Sequence, residues 1–134
     1  MVLFCGVSCG QMDQKVVTDS PSQPETEKFD DFFTVFCKDS LFRDSRTVKP
    51  FPYLVLEEVE EDRYDTTYIN EFPFTTMTVS EMEAGTIFIL EQMSPNSVLL
   101  RIQVEDTGIQ FRVIFSRKST SDNWYAVECR DVST

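Results

Sequence analysis

The sequence predicts an α+β domain, with N-terminal helices packed on a curved antiparallel sheet. Two observations carry that prediction. Phe29, Phe32, Phe33 and Phe36 recur at the spacing of one helix face. Near the other end, Val98, Leu100, Ile102 and Val104, then Ile109, Phe111, Val113 and Phe115, alternate with polar residues as half-buried strands do. Helical pattern first and strand pattern last is the order of an α+β chain.

At 134 residues the chain has single-domain length. It carries 12 Phe and only 4 Gly, which suits a well-filled interior. Its net charge of −11 is spread along the whole chain. Long-range repulsion then argues against nucleic acid as a partner, and against an anionic membrane surface bound through charge alone. With no His, catalysis by Ser-His-Asp or Cys-His and metal sites built on imidazole are excluded. Only Cys5 and Cys9 lie close together among 4 cysteines, too few for a zinc site. No metal and no cofactor is expected.

Residues 1–10 are apolar and small, too short to span a bilayer. Val7-Ser8-Cys9-Gly10 resembles a lipobox, in which Cys9 is the lipid attachment site, although Gly6 stands where Leu is usual. Residues 1–10 are read as the remnant of a lipoprotein signal that begins upstream of Met1. The bland counterpart is a cytoplasmic N-terminus with two incidental cysteines. Residues 11–26 have two prolines, many small polar groups and no periodicity, the mark of a flexible linker. The domain is placed at 27–134. Membrane contact is expected only through the anchor, with the domain facing the periplasm or the cell surface.

Within the domain, the Phe stripe predicts a first helix whose early Asp30 and Asp31 suit the helix dipole. A second helix is expected over Ser40–Arg46, capped by Asp39 or Ser40, with Leu41 and Phe42 inward. Pro50 and Pro52 end the helical part. Tyr53–Leu56, Thr66–Ile69 and Thr86–Leu90 have strand composition, and Phe72-Pro73-Phe74 reads as a loop plug. Ser80–Ala84 is a candidate helical turn. In the C-terminal third, Asp106-Thr107-Gly108 supplies a hairpin turn with Gly108 at the positive-φ position. A last strand falls within Trp124–Val132.

Placing Val104 opposite Ile109 sets Ile102 against Phe111, Leu100 against Val113 and Arg101 against Arg112. Pairing Phe115 with Tyr125 brings Glu128 to Arg112. Directly opposed like charges destabilise a strand pair, so Arg101, Arg112 and Glu128 form either an anion or carboxylate site or a solvated salt-bridged face. Cys37 and Cys129 could meet where the first helix crosses the sheet. A disulfide is allowed there if the domain is exported, and buried free thiols are the other outcome.

Phe32-Phe33, the run Lys38-Asp39-Ser40-Leu41-Phe42-Arg43-Asp44-Ser45-Arg46, and Phe51-Pro52 resemble the opening of a family of uncharacterised lipoprotein-type proteins of Gram-negative gut anaerobes. Phe115-Ser116-Arg117 and Trp124-Tyr125-Ala126-Val127 are similar to its late Phe-x-Arg and Trp-Tyr pattern. The resemblance implies a nuclear transport factor 2-like cone fold, and no assigned activity. Two functions follow as expectations. One is a non-catalytic, envelope-associated binding or accessory module for a protein, glycan or small apolar ligand, with Phe51, Phe72, Phe74, Phe88 and Trp124 as candidate lining. The alternative is a small-molecule isomerase or hydrolase of the cone fold that uses carboxylate and Tyr residues.

Overall fold

A computed structural model describes residues 26–78 and 82–134. The candidate lipobox with Cys9, nearly all of the linker, and part of the candidate turn at 80–84 lie outside the described residues.

Two helices lead. Helix α1 spans Phe29–Lys38, with Asp30 and Asp31 in its first turn, Lys38 in its last, and Phe32 and Phe36 buried. Asp39 ends α1 and starts α2, Ser40–Ser45, its Oδ1 accepting from the backbone N–H groups of Leu41 at 3.0 Å and Phe42 at 3.1 Å. The expectation that Leu41 points inward fails, since it is 82% exposed. A helix of six residues presents one short face to the core, and Phe42 and Arg43 occupy it.

Six strands follow: β1 Phe51–Glu58, β2 Arg63–Ile69, β3 Thr86–Ser94, β4 Ser97–Val104, β5 Gln110–Ser116 and β6 Tyr125–Asp131. They form one sheet in the order β2-β1-β6-β5-β4-β3. The acidic run 57–62 closes the β1–β2 hairpin, with Asp62 at φ 51°. The sheet is mixed rather than wholly antiparallel. The consecutive strands β2 and β3 stand at opposite edges of the sheet, and β6 lies beside β1 and pairs with it in parallel, Tyr53 opposite Cys129. A parallel bridge between Thr47 and Ala126 extends that contact back to the end of α2.

The β4–β5 register is the expected one, with Leu100 opposite Val113, Arg101 opposite Arg112 and Ile102 opposite Phe111. At its turn the left-handed residue is Asp106, φ 62°, and not Gly108. Asp tolerates that region, and Gly108 serves a different need. The chain end docks beside the turn, Thr134 N–H donating to the Gly108 carbonyl at 2.8 Å, and a Cβ on Gly108 would collide with the Thr134 carbonyl.

The Phe stripe covers the inner face of the sheet. Phe115 of β5 has ring centroids of Phe29, Phe32, Phe33 and Phe36 at 5.5, 5.7, 5.9 and 5.2 Å, edge-on in each pair. The Phe72 plug closes the same core, 5.0 Å from Phe36 and 5.8 Å from Phe51.

Two polar locks join helices to sheet. Arg43 is 5% exposed, and its guanidinium donates to the carbonyls of Phe36 at 2.9 Å, Cys37 at 2.8 Å and Thr75 at 3.2 Å. It thus satisfies the open carbonyls at the end of α1 and pins the plug loop. Glu27 bonds Arg46 and the backbone N–H of Trp124 with one carboxylate oxygen, at 2.8 and 2.9 Å, while its carbonyl accepts from Trp124 Nε1 at 3.1 Å.

Phe115→Ala is expected to destabilise the domain by about 3–5 kcal/mol in urea unfolding. Leu41→Ser should stay within about 0.5 kcal/mol of the parent.

Candidate functional site

The interior is built of rings. Phe32, Phe36, Phe51, Phe115 and Trp124 are each at most 2% exposed, and Phe72 is at 5%. Of the candidate lining residues, Phe51, Phe72 and Trp124 belong to the core, and Phe74 and Phe88 pack against it half-buried. Phe74 lies edge-on to Phe111 at 5.0 Å. Among the described residues these rings pack on one another as the core between the helices and the sheet.

On the inner face near β1, Tyr53 lies beside Cys129 and two register positions from Asp131. Burial, then the Asp131 charge, pushes the Tyr53 phenol up to about 12. Asp131 accepts a hydrogen bond from Ser133 N–H at 3.0 Å. A phenol held so firmly protonated can donate a hydrogen bond but is a poor base near neutral pH. Cys37 and Cys129 are both free thiols. Desolvation raises Cys37 to about 11, against the opposing Arg43 charge, and raises Cys129 to about 12 with help from Asp131. Neither is primed as a nucleophile.

The polar residues singled out by sequence lie on the outer face, away from the helices. Successive residues of a strand point to opposite faces. With Leu100, Val113 and Cys129 buried inward, Arg101, Arg112 and Arg130 stand outward in one cross-strand row. Ile89 of β3 and Leu54 of β1 close the row at its two ends. Arg101 pairs with Glu91 at 3.0 Å. Arg130 pairs with Glu128 and lies 4.9 Å from the centre of the Tyr64 ring. Arg112 has no ion-pair partner among the described residues, and its Nε is buried without a hydrogen-bond acceptor.

Glu128 is therefore not the neutraliser of Arg101 and Arg112. An irregularity between Ile114 and Phe115 sets Phe115 opposite Ala126 instead of Tyr125, so Arg112 faces Arg130 and Glu128 faces Ile114. A bulge has no local sequence mark here. The pairing of Arg101 with Arg112 was readable because the hairpin turn fixes it; the involvement of Arg130 and Glu91 was missed, and β3 alternation could have pointed to Glu91. Ile87 and Ile89 are 36% and 38% exposed on the same face of edge strand β3, and Met93, at the irregularity in that strand's pairing, is 57% exposed.

A recess, open at the surface, lies beside the β5–β6 loop, lined by Val48, Arg117, Lys118, Asp122 and Tyr125 among others. Its Arg117 is committed to the fold, donating to Asn96, Pro95 and Glu27 and lying 4.5 Å over the Trp124 ring. Among the described residues no group of three or more His, Cys, Asp or Glu is placed to hold a metal ion. No described helix is long and apolar enough to cross a membrane.

Helices laid on the inner face of this bent six-stranded mixed sheet define a nuclear transport factor 2-like fold. Two solved structures are similar to it. One is a nuclear transport factor 2-like protein of Bacteroides fragilis, with TM-score 0.59 and 18% identity, over 84% of this chain and 50% of that one. The other is a cystatin-like protein of Bacteroides caccae, with TM-score 0.52 and 19% identity, over 81% of this chain and 78% of that one. The chain thus spans about half the length of the B. fragilis protein. No protein-family model matches the sequence, and no curated protein matches it.

The Tyr53 environment has a measurable consequence. The unfolded chain releases that phenol proton near 10, the folded chain near 12. The native state holds the extra proton in between, so this stabilisation is complete below pH 10 and is lost as pH rises through that window. Phenolate absorbance of the folded protein should show one late-titrating tyrosine, and Tyr53→Phe should remove that component alone.

Proposed function

We propose that the protein is a non-catalytic binding module of the cell envelope, lipid-anchored through Cys9, that engages a protein partner with the outer face of its sheet. The observation that carries this reading is the ring-packed core of the described residues, in which Phe32, Phe36, Phe51, Phe115 and Trp124 are buried. Binding is then left to the exterior, where Ile87, Ile89 and Met93 lie exposed along edge strand β3. The lipobox-like Val7-Ser8-Cys9-Gly10 and the polar linker after it support the anchor. The B. fragilis and B. caccae structures add the fold and leave activity open.

The enzyme reading would rest on Tyr53 and Asp131, which share one region of the inner face. It lacks a base. The phenol stays protonated far above neutral pH, and the chain has no His to take its place.

The test is made in the native cells. A photo-crosslinking residue at Met93 should capture one discrete protein that the same residue at Asp30, on the exposed side of α1, does not. Labelled fatty acid should enter the parent protein and fail to enter Cys9→Ala. Identical crosslinking from both positions would overturn the docking face, and unchanged labelling of Cys9→Ala would overturn the anchor.

A further inference from the structure

We infer that Arg112 is the receptor for a single carboxylate carried by the protein partner, which names the chemistry of the contact and rests on the binding-module reading for its source.

The row Arg101–Arg112–Arg130 sets three cations on neighbouring strands, an arrangement that costs stability unless counter-charge is supplied. The chain supplies it twice. Glu91 serves Arg101 and Glu128 serves Arg130, while the central Arg112 receives none among the described residues and keeps a buried Nε–H without an acceptor. The Nε–H is covered by the protein, so an incoming acceptor meets the terminal amino groups of the guanidinium, which have no hydrogen-bond partner among the described residues. The guanidinium fork matches the two oxygens of a carboxylate.

The charge balance selects the ligand. Three guanidinium groups and two carboxylates leave the row with one positive charge, in a chain whose net charge is −11. One carboxylate neutralises the row; a phosphate dianion overshoots it and meets Glu91 and Glu128. The surroundings select the source. Ile89 and Leu54 cap the row, each two strands from Arg112, about 10 Å away at the usual strand spacing. A free anion makes no use of them, whereas a protein segment with apolar side chains around its acid covers both.

The experiment uses the full chain with nitrogen-labelled arginine and follows the guanidinium resonances by NMR. The probes are a capped peptide, acetyl-Leu-Val-Glu-Val-Leu-amide, its Gln counterpart, sodium acetate and inorganic phosphate. The Glu peptide is expected to shift the Arg112 Nε–H saturably, ahead of Arg101 and Arg130. The Gln peptide should bind at least ~10-fold more weakly, the difference a charge-assisted pair makes. Arg112→Gln, with its backbone spectrum otherwise unchanged, should lose the same factor. Equal affinity for the Glu and Gln peptides, or an unmoved Arg112 resonance, overturns the carboxylate receptor and leaves the docking face to be judged by crosslinking alone. Acetate binding as tightly as the peptide overturns the protein source, and phosphate binding as tightly overturns the charge match. The peptide comparison uses the parent protein, so it decides even if Arg112→Gln fails to fold.

Discussion

The structure depends on one ring. Phe115 meets all four members of the α1 stripe edge-on, so the helix and the centre of the sheet share one central packing point. A ten-residue helix is too short to persist alone in water. It exists because its stripe is buried, and the inner sheet face is buried because the stripe covers it. The irregularity between Ile114 and Phe115 belongs to the same arrangement. It shifts the β5–β6 register so that Phe115 faces Ala126, the smallest side chain on that strand, where four rings can approach. The cost of that shift on the other face is a row of like charges.

Cations do more structural than functional work in this acidic chain. Arg43 is spent on three carbonyls, Arg46 on Glu27 and the Trp124 carbonyl, and Arg117 on Asn96, Pro95 and Glu27. Arg43 ties the helices to the loop after β2, and Arg46 and Arg117 close the seam between the helical lead-in and the strands, where backbone groups would otherwise be buried unpaired. Lys49 and Arg63 pair with exposed carboxylates, contacts of small energetic weight. Against that pattern Arg112 stands apart, placed by strand register and not used by the fold.

Elements written in local periodicity were legible. The Phe stripe gave α1, the alternation gave β4 and β5, and the short turn between them fixed the partners of Arg101 and Ile102. What eluded the sequence depends on distant partners. The parallel pairing of β1 with β6 follows from a crossover that no residue marks, and the register of Glu128 follows from a bulge. Gly108 carried the right importance for the wrong reason: its neighbour is Thr134, far along the chain. Arg43 looks like a surface cation in its helical pattern, because nothing in a window of sequence reveals that α1 ends above it. The candidate site shows the same division, with Arg101 and Arg112 found through a hairpin and Arg130 hidden behind the bulge.

A core packed with rings changes what this fold can offer. Where rings occupy the interior, recognition is displaced to surfaces, and surfaces of a chain at −11 repel most anions before they arrive. A local cation on such a surface therefore works only at short range, within roughly a Debye length of 8 Å at physiological salt. Apolar contact along β3 has to bring the partner that close, after which a guanidinium fork can discriminate. The division of labour is physical: Ile87, Ile89 and Met93 supply adhesion without direction, and Arg112 supplies direction without reach.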